Sequence, residues 1–180
     1  MSNNRGFTLI ESVIVIIVMG LAMITITNFL VPQISRSADP HYQTRAAALG
    51  QSVMSLILAR GFDQQSDFSG GEIRCSSMDT GSLPCSGTAG SALILGPDGE
   101  TIPNYNDVDD FIGCWEPSPN AGSTCQDLNT LLNDPDGSYL NFRLDIAVNY
   151  HNVPDLKIIT LQLSAGQQQP LTFTAFRGNY

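Results

Sequence analysis

RGFTLIESVIVIIVMGLAMITITNFLV, Arg5 to Val31, is the stretch on which the reading of the chain turns. From Ser12 to Val31 no residue carries a formal charge. Twenty helical residues at about 1.5 Å each rise about 30 Å, the thickness of a bilayer's hydrocarbon core, so a membrane-spanning helix is predicted. One carboxylate, Glu11, lies just inside the apolar run. A charge near a helix end costs less than one at mid-bilayer but still calls for a partner. Ahead of it Met1 to Gly6 forms a very short polar leader, without a secretory h-region, and no A-x-A cleavage site follows the apolar run.

Arg5-Gly6-Phe7-Thr8-Leu9-Ile10-Glu11 resembles the processing motif of type IV prepilins and of type II secretion pseudopilins. The resemblance implies that a prepilin peptidase cuts between Gly6 and Phe7 and methylates the new N-terminal Phe7. The apolar helix then stays as inner-membrane anchor and later as filament core, packed among other major and minor pilins, with Glu11 serving assembly. Elementary electrostatics supports that role. Once Gly6 is gone the amino group of Phe7 is a cation, and Glu11 of a partner subunit can pair with it where the dielectric is low. The competing reading is local: Glu11 complements the helix dipole in the first turn, or pairs with Phe7 of its own chain. The whole motif, and not Glu11 alone, favours the filament reading. The same resemblance puts Gly20 at a small-residue position of pilin stems, while Asn28 stands where many members carry Pro.

Working outward, the 180 residues divide into a leader (1–6), a transmembrane or filament stem (7–36) and one globular domain (37–180) outside the cytoplasm. Net charge is −9 with a pI near 4.3, and one Lys and seven scattered Arg leave no basic footprint for nucleic acid. Acidity is read as solubility. Cys75, Cys85, Cys114 and Cys125 are even in number and lack C-x-x-C spacing, so disulfides are expected, with zinc the weaker alternative. Of three connectivities the sequential one, Cys75 to Cys85 and Cys114 to Cys125, is favoured because each closes a short loop. Oxidised cysteines agree with a periplasmic domain, carried afterwards to a pilus at the cell surface.

After Val31, Pro32 interrupts the helical pattern, and Asp39-Pro40 reads as an N-cap and first position of a second helix, hence a kinked stem. From Pro40 to Arg60, Tyr42, Ala46, Leu49, Val53, Leu56 and Ile57 form an apolar stripe that ends at Gly61. Residues 62–138 are rich in Gly, Ser, Asp and Pro, predicting long connections stapled by the disulfides. Within them Ser91 to Leu95 reads as a strand, Gly96 to Gly99 as a turn, and Thr101-Ile102 as the return. Phe111, Ile112 and Trp115 are expected to cluster, and Cys125 to Asn133 to form a short helix. Beyond, Leu140, Phe142, Leu144, Ile146, Val148 and Tyr150 alternate with mostly polar residues. That is a strand with one buried face, followed by strands Leu156 to Leu163 and Leu171 to Phe176. The fold class is α+β: a long helix packed on a C-terminal antiparallel meander, as the pilin resemblance also implies.

Nothing in the sequence composes an enzyme. His41 and His151 are far apart, and no nucleophile elbow, phosphate loop or paired acids appear. No cofactor and no metal site is expected. Asp107-Val108-Asp109-Asp110 and Asn133 to Gly137 look like pieces of calcium loops, but a solvated turn is the better reading. The chain is read as a structural subunit. Ser37 to Pro40, Arg45 to Phe62 with Leu49-Gly50-Gln51, and Phe176 to Tyr180 resemble minor pilins of the mannose-sensitive haemagglutinin pilus system. Such a subunit helps start assembly of an adhesive surface fibre. Alternatives are a minor pseudopilin, or a tip adhesin binding a surface or sugar ligand through residues 62–138 with exposed Trp115 and Tyr105 as contacts.

Overall fold

Unbroken apolar sequence followed by an amphipathic stripe builds one helix, α1 (Leu9–Leu58), of 50 residues. The computed structural model describes residues 8–68, 73–119, 122–166 and 168–180, the side chains of 32–39 excepted. The chain divides between His41 and Tyr42 into two compact units. The expected restart at Asp39 is not found, because helical backbone runs through residues 32–39. Pro32 and Pro40 each remove one backbone donor, but the segments on either side propagate the helix across both sites.

In the second unit, Ala46, Leu49, Val53, Met54 and Ile57 from α1 are buried in the core. They pack with the inward row of a five-stranded sheet: β1 (Gly113–Glu116), β2 (Gln126–Asp127), β3 (Phe142–Asn152), β4 (Leu156–Ala165) and β5 (Leu171–Gly178). The spatial order is β2-β1-β3-β4-β5. As predicted, β3, β4 and β5 form an antiparallel meander, in which Leu144 pairs with Leu163 and Leu161 with Phe173. Alternation sets the inner face: Phe142, Leu144, Ile146 and Val148 of β3, then Ile159, Leu161, Leu163 and Ala165 of β4, are all buried.

β1 and β2 were not anticipated. They are short, pair in parallel with each other, and are joined across the Cys114–Cys125 disulfide. The second bridge, Cys75–Cys85, forms as the sequential assignment requires. Helix α2 (Leu128–Leu132) lies inside the segment read as a short helix; the Asp127 carboxylate caps it by accepting from Asn129 N–H at 3.0 Å. Residues Ser91 to Leu95 form no strand, and Ile102–Asn104 is a 3-10 turn with Pro103 inside it.

Trp115 and Tyr105, expected as exposed contacts, are 0 % and 3 % exposed. Trp115 donates its indole N–H to the Phe111 carbonyl at 3.0 Å, and Tyr105 donates its hydroxyl to Gln126 at 2.9 Å. Both polar tips are satisfied inside, which lets the rings serve as core for the loop region. They are not available to a ligand.

At Gly50 α1 packs directly against the Phe173 ring of β5. A Cβ added there would stand 2.4 Å from the Phe173 ring. Gly50→Ala is predicted to destabilise the domain by about 1–3 kcal/mol through overpacking, despite a helix propensity gain of about 1 kcal/mol. Thermal unfolding should show that loss, and Phe173→Leu in the same chain should recover part of it. A Gly50→Ala protein as stable as wild type would refute the close contact.

Candidate functional site

At the head of α1, Thr8 and Glu11 form the near half of a capping box. The Glu11 backbone N–H approaches Thr8 Oγ1 at 3.4 Å, and Ser12 N–H donates to the Thr8 carbonyl at 3.2 Å. This places the Glu11 carboxylate in the first turn, where the positive end of the helix dipole favours it. Its residue is exposed, and among the described residues no cation lies at ion-pair distance from it. Gly6 and Phe7 lie outside the described residues. Downstream, Leu9–Val31 is 23 residues of helix, long and apolar enough to cross a membrane. Its hydroxyls return to the helix backbone, Thr25 to the Ala22 carbonyl and Thr27 to the Met23 carbonyl, each at 2.8 Å. That is how a lone helix satisfies polar side chains in lipid.

A second constellation, which the sequence reading missed, lies inside the domain. Gly61 pairs with the 106–108 backbone, its N–H donating to the Asn106 carbonyl at 2.9 Å and its carbonyl accepting from Val108 at 3.1 Å. This bridge sets Asp63, just past α1, beside the acidic run Asp107-Val108-Asp109-Asp110. Lys157, the only lysine, occupies the inward row of β4 and enters the same space. Its Nζ donates to Asp63 Oδ2 at 2.8 Å, to the Phe62 carbonyl at 2.8 Å, and to Asp109 Oδ1. The Phe62 and Tyr150 rings face it, 4.7 and 5.4 Å from their centroids. All three charged side chains are fully buried.

The acidic run is thus no solvated turn. Asp107 Oδ1 accepts from the N–H groups of Asp109 and Asp110 at 2.9 and 3.3 Å, and Asp110 Oδ2 accepts from Asn106 and Asp107 at 2.7 and 3.0 Å. Burial, then the charges of Asp109 and Asp110, push the Asp107 carboxyl up to about 9, with Lys157 opposing. Burial also raises Asp110. Asp63, Cys75 and Cys85 offer three ligand atoms within 4.8 Å, but both sulfurs are spent in a disulfide, so they hold no metal. The 133–137 segment is a turn in which Asp134 accepts from Ser138 N–H at 2.8 Å.

Comparison with known proteins bears on the stem. Residues 1–27 match the family model described as the prokaryotic N-terminal methylation motif. The chain carries a prepilin-type N-terminus. That match supports a type IV pilin-like or pseudopilin subunit, processed by a prepilin peptidase and assembled with other pilins. No curated protein and no solved structure matches the chain.

The Asp107 environment has a pH signature. An acid whose folded pKa is raised is more protonated in the folded state, so its contribution to stability falls as pH climbs from the unfolded value of 3.8 toward about 9. Asp79 is lowered to about 2. Its contribution is lost only as pH falls toward that value, and it is flat through the neutral range. Asp107→Asn keeps the oxygen that accepts from Asp109 and Asp110 and has no proton to lose. The variant should therefore gain on wild type steadily between about pH 5 and about pH 8, at about 2–4 °C in Tm per kcal/mol. Parallel melting curves across that range would oppose this assignment.

Proposed function

We propose that the chain is a minor, non-enzymatic pilin-like subunit that helps initiate assembly of an adhesive surface pilus of the mannose-sensitive haemagglutinin type. The observation that carries this reading is the methylation motif at residues 1–27 leading directly into a 23-residue apolar helix. The finer assignment rests on the segments that resemble the minor pilin MshD, Ser37 to Pro40, Leu49-Gly50-Gln51 and Phe176 to Tyr180.

In this reading the precursor is held in the inner membrane by residues 7–36, with residues 37–180 in the periplasm. Prepilin peptidase removes Met1 to Gly6 and methylates Phe7. The exposed new amino terminus meets Glu11 of a neighbouring subunit, and the pairing fixes the axial register as helices pass from lipid into the filament. Among the described residues Thr8 accepts from the Glu11 N–H, and the Glu11 carboxylate accepts no backbone hydrogen bond. A minor pseudopilin of type II secretion would use the same stem. Residues resembling MshD favour the pilus.

N-terminal sequencing tests the class: the mature chain should begin at methylated Phe7, and Gly6→Trp should leave precursor in the membrane. Mature-sized Gly6→Trp protein would contradict peptidase processing. For Glu11→Leu, membrane insertion should be unchanged or better, because the substitution removes a charge from the stem. Co-purification with partner pilins should fall by orders of magnitude, since stranding one member of a buried pair costs about 3–5 kcal/mol. Wild-type co-purification and fibre counts would reject the role given to Glu11.

A further inference from the structure

An amine and two carboxyl groups in contact, shut away from water, are an arrangement with its own chemistry. Nζ of Lys157 touches both Asp63 and Asp109, and all three side chains are fully buried. The Phe62 and Tyr150 rings close the space around the amine. In bulk water an ammonium and a carboxylate do not condense, because hydration stabilises both ions and water reverses the reaction. Burial removes that hydration. Holding the two groups in contact replaces a bimolecular encounter with an effective concentration of about 10⁵ M or more when alignment is good.

The two carboxyls are not equivalent. Asp63 is held by three donors besides Lys157: Ser86 N–H at 3.0 Å, Ser86 hydroxyl at 3.3 Å and Gln65 N–H at 3.0 Å. Such a carboxylate is fixed in place, in direct contact with the amine. Asp109 accepts from one backbone amide among the described residues, the Gly96 N–H, at 3.2 Å on Oδ2, opposite the oxygen that meets Lys157. That amide is placed to hold negative charge developing on Oδ2. Beside it Asp107 Oδ2 is buried with no donor reaching it among the described residues. An oxygen so placed carries the proton itself and hydrogen-bonds toward Asp109.

We propose that Lys157 and Asp109 condense to an intramolecular isopeptide bond, with Asp63 as the proton carrier. Asp63 takes a proton from the ammonium, and the freed lone pair of Nζ forms the N–C bond to Cγ of Asp109. The Gly96 amide and the Asp107 proton stabilise the tetrahedral oxyanion. One Cγ–O bond then breaks. Nζ gives up two protons in all and Asp109 one oxygen, which leave together as water, while Asp63 and Asp107 return to their starting states. One positive and one negative charge vanish together, and no oxidant, reductant or further reactant is needed. The product joins β4 covalently to the loop that precedes β1.

The test is the mass of the full chain, purified from membranes in detergent and measured after reduction and denaturation. The expected mass is one water below that of the reduced, N-terminally processed sequence. Proteolysis should release a branched peptide joining the Lys157 segment to the Asp109 segment. Asp109→Asn should give the same branch with loss of ammonia in place of water, and Lys157→Met should give neither branch nor mass loss. A wild-type chain at full sequence mass overturns the proposal. So does a water loss that maps to a succinimide at Asp98-Gly99 or Asp136-Gly137, or a branch ending on Asp63.

Discussion

One buried ammonium orders the globular domain. Among the described residues Lys157 is the cation that pairs with Asp63 and Asp109, and through them it ties the exit of α1, the loop before β1 and the inner row of β4 to one point. Desolvating an ion pair is costly, and a buried pair is worth keeping only if its remaining hydrogen bonds are filled. Here Ser86, Gln65, Gly96 and the Phe62 carbonyl fill them. Long connections with little regular secondary structure are thereby given a fixed place, beside the buried rings of Tyr105, Phe111 and Trp115.

The stem obeys a different rule. Leu9–Val31 presents apolar side chains all round, with Ile16, Phe29 and Val31 each more than 60 % exposed. In water that surface would drive aggregation, whereas in lipid it costs nothing. What lipid punishes is an unpaired polar group, and Thr25 and Thr27 are both paired to the helix backbone. Asn28 and Glu11 have no such bond among the described residues, and Glu11 stands in the first turn, where the helix itself offers partial compensation. The chain thus keeps one charge out of balance in the stem, and gathers others tightly in the domain.

Much of this was legible in the residues. Strict alternation from Phe142 to Val148 fixed β3 and its buried face, and the stripe from Tyr42 to Ile57 fixed the part of α1 that enters the core. Lys157 was legible too and was missed. Counting back by twos from Leu163 through Leu161 and Ile159 lands on it, but the apolar neighbours Leu156 and Ile158 blurred the parity. Asp107 to Asp110 read as a surface turn because carboxylates usually are. Only a partner 48 residues away explains the burial of Asp109. Trp115 looked exposed because Gly and Ser surround it in sequence, though its N–H has a carbonyl four residues back. Asp39-Pro40 carries a genuine start signal, yet local capping is worth about 1 kcal/mol and the surrounding helix outweighs it. β1 and β2 are too short to show a period.

The separation between Lys157 and its partners also sets an order of events. Synthesis runs from the N-terminus, so Asp63, Asp107 and Asp109 exist for some time as a repelling, hydrated group before the lysine that gathers them is made. Until β4 has emerged that loop lacks its buried counter-charge. All four cysteines precede Lys157 in the chain, so an oxidant meets them while the segment is still open. The late arrival of one lysine therefore gives the disulfides a window in which to form before the domain shuts over Cys75 and Cys85.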